Sequence, residues 1–138
     1  MKRPLLWLQL VLAALVAVGV WLQVYFIASY LFGATDALDI HQTIGEIMRG
    51  AEVLVFLAAL GAWWRNWGKI GHAFGLAAIG TIQISLTGGD EWVGGFHGLL
   101  ALAILVMAVF IVKDDAEVLG LTRGRGDDAG GAPAQPLP

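Results

Sequence analysis

Four apolar stretches, at about 5–31, 39–64, 70–86 and 92–112, fill most of this 138-residue chain. A helix that crosses a bilayer needs about 20 mostly apolar residues, with a range of about 17–25. The third stretch sits at the short limit and the first is slightly long, a mismatch that tilt absorbs. The first also exceeds the apolar core of about 7–15 residues found in cleavable signal peptides, so it reads as a retained helix. The links are short, which sets each helix antiparallel to its sequence neighbour. The expected fold class is therefore all-α: a four-helix transmembrane bundle, up-down-up-down, over residues 1–113.

Composition supports lipid as the solvent. Charged residues make up 14% and hydrophobic residues 58%, with a mean hydropathy of +0.75; soluble domains carry about 25% charged residues. There is no cysteine. That excludes disulfides, thiolate metal sites, iron–sulfur clusters and covalent c-type haem. The net charge of −3 comes with no basic patch interleaved with aromatics, so no nucleic-acid partner is expected. Residues 114–138 hold Asp, Glu, Arg, five glycines and three of the four prolines. They read as a disordered cytoplasmic tail, with room for one ordered turn around residues 118–121.

Charge sets the orientation. Lys2 and Arg3 precede the first helix, Arg65 and Lys69 occupy the second link, and Lys113 follows the fourth helix. The first and third links carry only acids: Asp36, Asp39, Asp90 and Glu91. Basic residues mark the cytoplasmic side, which places both termini inside. Trp7, Trp63, Trp64, Trp67 and Trp92 fall near the expected interfaces. Asp39 is suited to capping the second helix.

On this layout His41 and His97 lie close to the outer ends of the second and fourth helices, which run in the same direction. Their depths are roughly 3 and 7 Å by helix rise. Opposed imidazoles on two helices can hold one haem iron from both sides. Offsets of four, seven and eleven place Gly45, Met48 and Glu52 below His41, and Ala101, Ile104 and Ala108 below His97. Gly45, Gly94, Gly95 and Gly98 leave space for a flat ring to approach. Two readings stand at this point. The pair is a ligand set (metal: His41 and His97), or it is two interfacial histidines among the small residues that membrane helices use for packing.

The stretches Asp-Ile-His-Gln-Thr-Ile-Gly around His41, Gly-Gly-Phe-His-Gly-Leu-Leu-Ala around His97, and Ile-Gln-Ile-Ser-Leu-Thr-Gly at 82–88 carry a resemblance. In layout, residues 5–112 resemble one four-helix repeat of haem A synthase. That family places axial histidines on the second and fourth helices of each repeat. The resemblance implies that His41 and His97 are axial ligands. The family's glutamate shortly before the second-helix histidine, and its adjacent arginine, are missing; Asp39 and Gln42 stand nearby instead. One repeat also offers one haem site and not two, so the resemblance implies haem binding without haem A synthesis. The chain also resembles small single-repeat bacterial membrane proteins, which implies a bacterial plasma-membrane location.

Other polar residues sit within the expected spans. Arg49 is three residues from both Glu46 and Glu52, so ion pairing along the helix is available to each. Alternatively Arg49 meets a haem propionate, or Glu52 carries protons. Gln83 either donates a hydrogen bond beside the outer cofactor edge or bonds to another helix, and Gln23 reads the same way. His72 lies at the inner side with no second histidine at its depth, which excludes an inner bis-histidine haem. Gly71 and Gly75 form a small-xxx-small packing spacing. No catalytic residue is expected: Ser29 and Ser85 have no identifiable base, and no phosphate loop or carboxylate dyad is present.

The leading expectation is a b-type cytochrome-like protein with one non-covalent haem b, electron transfer near the outer face, and a site of His41, His97, Gly45, Gln83 and Arg49. The rival is a non-enzymatic accessory subunit without a redox cofactor. A third reading is a proton-conducting helper using Glu52 and His72. Expected partners are the lipid bilayer and either a larger respiratory membrane complex or further copies of the chain.

Overall fold

The computed structural model describes residues 2–87 and 90–122. They form four α-helices and, among the described residues, no strand: α1 Arg3–Leu31, α2 Ala37–Ala62, α3 Trp67–Ser85 and α4 Glu91–Leu119. Pro4 opens α1, where its fixed φ suits the helix and its missing N–H costs nothing. The link after α1 passes through Gly33 at φ 102°, a conformation glycine adopts without penalty. Asp39 does not cap α2. The helix starts at Ala37, so Asp39 lies inside the first turn, where its charge faces the positive end of the helix dipole.

α3 starts at Trp67 because the Asn66 side chain accepts the Lys69 N–H at 3.3 Å. α4 is the main departure from the sequence reading. It runs to Leu119, so residues 114–119, expected in a disordered tail, are helical. The helix ends where Gly120 turns left-handed at φ 75°; the Leu121 N–H then bonds Ala116 O and the Gly120 N–H bonds Glu117 O. Residues 118–119, where a brief turn in the tail was expected, belong to the last turn of this helix. The rest of the expected tail, 123–138, lies outside the described residues.

The helices form a ring. α1 packs on α2 and α4, and α3 packs on the same two; among the described residues the backbones of α1 and α3, and of α2 and α4, lie apart across the diagonals. Leu6, Val16, Val55, Leu76 and Ile104 are buried at the contacts among small residues such as Ala13, Ala59, Ala73 and Ala108. Small side chains let helix backbones approach closely. Met48 of α2 fills the space left by Gly19 of α1, and Leu5 of α1 that left by Gly61 of α2. The exterior carries large apolar side chains, including Leu15, Val18 and Trp21 on α1 and Leu99, Leu102 and Val106 on α4. Arg3–Leu31 and Trp92–Leu119 are each long and apolar enough to cross a membrane.

Candidate functional site

The end of α1, the start of α2, the end of α3 and the start of α4 meet at one end of the ring. His41 Nδ1 lies 3.1 Å from the backbone oxygen of Gln23, on α1. His97 Nδ1 lies 3.2 Å from the backbone oxygen of Gln83, on α3. A carbonyl can only accept, so both Nδ1 atoms donate, and in the neutral imidazole that leaves Nε2 with the lone pair. The two ring centres are 6.2 Å apart with their planes at 64°. The α2 and α4 backbones do not come close to each other, so the two rings meet across the diagonal of the bundle.

Local structure explains both anchors. Gln83 lies in the last turn of α3, where its carbonyl oxygen accepts the Leu86 N–H at 3.2 Å and keeps a second lone pair for the histidine ring. Gln23 is inside α1, and its anchor is reciprocal: its amide Nε2 donates to His41 O at 2.8 Å. Gly45 sits where a Cβ would lie 3.3 Å from that Nε2, so its space serves the Gln23 amide. Among the described residues, a Cβ at Gly94, Gly95 or Gly98 would meet nothing within 4 Å beyond its own stretch of helix. The Oε1 atoms of Gln23 and Gln83 are buried without a partner.

Of the expected site, the structure brings together His41, His97 and Gln83, with Gly45 admitting Gln23. Arg49 does not join them. It is exposed and ion-paired to Glu46. Glu52 takes no share in that pair. Its side chain is 2% exposed, presses on Gly80 of α3, and leaves Oε2 without a partner. Because burial prevents the carboxyl from swinging aside, Gly80→Ala should overlap it and destabilise the protein by about 1–3 kcal/mol. Glu52→Ala vacates that space, so the double variant should recover stability relative to Gly80→Ala. Thermal unfolding in detergent checks the pair.

The other end of the ring holds a second polar group that the sequence reading missed. Asp115 is fully buried; its Oδ1 accepts from Trp63 Nε1 at 3.1 Å and its Oδ2 has no partner. Gln9, 1% exposed, has an unpartnered Oε1. Both line a cavity of about 10 Å³, with Lys69, His72 and Asp114 also in its wall. Lys69 is ion-paired to Asp114 and lies 5.5 Å from the Trp63 ring centre. His72 Nε2 is 3.3 Å from Met107 O, which places this histidine away from the other two. A signal for Asp115 was present: residues 97, 101, 104, 108, 111, 115 and 119 share one helical face, and that face continues past the last apolar run.

Comparison of the chain with protein-family models, with curated proteins and with solved structures finds no match.

Proposed function

We propose that the chain is a b-type cytochrome-like membrane protein that holds one non-covalent haem b between His41 and His97 for electron transfer. The carrying observation is the mirrored pair: two rings 6.2 Å apart, each with Nδ1 anchored to a backbone carbonyl. With a metal–nitrogen bond of about 2.0 Å and about 1.1 Å from nitrogen to ring centre, imidazoles on opposite sides of one metal have centres about 6 Å apart. Anchoring Nδ1 leaves Nε2 as the ligand atom and fixes the ring's direction, the usual outer-shell support of a metal-binding histidine. Among the described residues no group of three or more His, Cys, Asp or Glu side chains is set to hold a metal ion. His41 and His97 are the residues that would hold the haem iron. Haem iron held by the two histidines would supply one-electron redox chemistry, and occupation of both its open positions by imidazole would favour electron transfer over oxygen activation.

The membrane reading supplies the setting: an up-down-up-down bundle of four spans, with both termini cytoplasmic and the histidine pair near the outer face of a bacterial plasma membrane. Its support is the gathering of successive helix ends, the apolar exterior, and the placement of Gln9, Glu52 and Asp115 inside the ring. The native chain has no cysteine, so single-cysteine variants report position cleanly. Cysteines placed at the exposed positions Ala34 and Thr87 should react with an impermeant reagent from outside, and one at Asn66 should not. Reversed labelling moves the histidine pair to the inner face.

A visible spectrum of the purified protein tests the function. A sharp Soret band that shifts on reduction is the expected result. A colourless preparation from haem-replete cells overturns it and leaves the accessory-subunit reading.

A further inference from the structure

At the end of the ring away from the histidine pair, two fully buried side chains each hold an oxygen without a donor: Asp115 Oδ2 and Gln9 Oε1. Both side chains line one cavity of about 10 Å³. That is close to the smallest space that admits a water-sized particle. The other Asp115 oxygen is committed to the Trp63 indole. Two acceptors that share a small space have lost the donors of water without replacement, so the pair is incomplete without a positive or donating occupant.

Charge narrows the occupant. The elements packed around Asp115 bring Gln9 from α1, Trp63 from the end of α2, Lys69 and His72 from α3, and Asp114 from α4 itself. Lys69 is ion-paired to Asp114, and His72 has its Nε2 3.3 Å from Met107 O. Two carboxylates thus stand against one ammonium, and the charge left over falls on Asp115, where burial makes an unpaired ion costly. One monovalent positive charge balances it. A divalent ion fits badly, because calcium takes about six to eight oxygen ligands and magnesium demands an octahedral set. Among the described residues no group of three or more His, Cys, Asp or Glu side chains is set to hold a metal ion. The Lys69 and Asp114 side chains are partly exposed, so their ion pair forms the side from which the cavity is approached.

We propose that Asp115 Oδ2 and Gln9 Oε1 form a binding site for one monovalent cation, either a proton or a sodium ion. A proton held there sits on Oδ2 and is donated to Gln9 Oε1. A sodium ion is coordinated by both oxygens. The site is independent of haem.

The test compares the full chain with Asp115→Asn by thermal unfolding in detergent. Asparagine keeps an acceptor for Trp63 and carries its own donor for Gln9, so it needs no cation. Lys69, His72 and Asp114 are common to both proteins, so their titration largely cancels from the difference. In sodium-free choline buffer at about pH 9, where neither cation is supplied, wild type should be the less stable of the two. In the proton arm the pH is lowered from about 9 to about 6, still above the ordinary aspartate range near 3.9. Uptake of one proton by the folded chain should lower the wild-type unfolding constant, relative to Asp115→Asn, by up to about tenfold per pH unit. The same arm should show an un-ionised carboxyl band in the infrared that Asp115→Asn lacks. In the sodium arm sodium replaces choline at about pH 9 and constant ionic strength; at ten times its dissociation constant it should lower the same ratio by about tenfold. Gln9→Leu removes the second oxygen and should lose most of whichever response appears. A response in either arm supports the site and names its cation. A difference that stays constant in both arms is what a bound water or an empty cavity gives, and it overturns the site. A response that Gln9→Leu keeps in full overturns the pairing with Gln9. If Gln9→Leu does not fold, the comparison with Asp115→Asn still decides.

Discussion

Replacing either His41 or His97 with alanine should abolish haem binding or leave a five-coordinate, high-spin iron. A six-coordinate site would need a donor side chain at both positions, so neither histidine can be replaced by alanine without losing a ligand. Loss of a metal ligand should cost at least as much as loss of the groups that orient it, which is about 10–100-fold in affinity. Haem content at equal membrane expression should therefore fall at least about tenfold. His97→Met separates ligation from folding: it keeps a donor atom, so it should retain haem and raise the midpoint potential. His72→Ala should keep the wild-type spectrum, because that ring engages Met107 O among residues of the opposite end of the ring. If His41→Ala and His97→Ala both keep the wild-type spectrum, the pair is not the ligand set and the proposed function falls with it.

The existence of four helices was legible because each is announced by an apolar run, and hydropathy is a sum over many residues. Their ends depend on single side chains and were less legible. Asn66 starts α3 three residues before the apolar run does. α4 outlasts its apolar run because helical periodicity, and not hydropathy, decides whether Ile111, Asp115 and Leu119 stay on the inner face. The histidine pairing was legible from depth and chain direction alone. What anchors it was not, since Gln23 and Gln83 hold the rings through backbone oxygens, which every residue type possesses. Arg49 illustrates a signal passed over. It is eight residues from His41, about 80° around the helix, whereas Glu52 is eleven residues away and about 20° around. That difference is enough to send the arginine outward to Glu46 and the glutamate inward to Gly80. Charge type had suggested a pairing that helix geometry grants to only one of the two glutamates.

Asp115→Asn and Asp115→Ala should move stability in opposite directions. Asp115 is fully buried, and the cation nearest in the cavity wall, Lys69, is committed to Asp114. One carboxyl oxygen accepts from the Trp63 indole and the other has no partner, while Gln9 Oε1 in the same cavity also lacks a donor. Asparagine keeps an acceptor for the indole and replaces the unpartnered oxygen with an NH₂ group, a donor for the Gln9 oxygen. Converting unpaired buried acceptors into a hydrogen bond should stabilise by about 1 kcal/mol. Alanine removes the acceptor, strands the Trp63 N–H, and enlarges the cavity. An orphaned buried donor alone costs about 1–3 kcal/mol. Unfolding in detergent should therefore rank Asp115→Asn above wild type and Asp115→Ala below it. Trp63→Phe should fall below wild type too, because it leaves both Asp115 oxygens without a donor. The haem spectrum should not change in any of the three, since these residues lie at the end of the ring away from His41 and His97. If Asp115→Asn destabilises as much as Asp115→Ala, the carboxylate has a donor that asparagine cannot replace, and the inner cluster has to be read as a paired site.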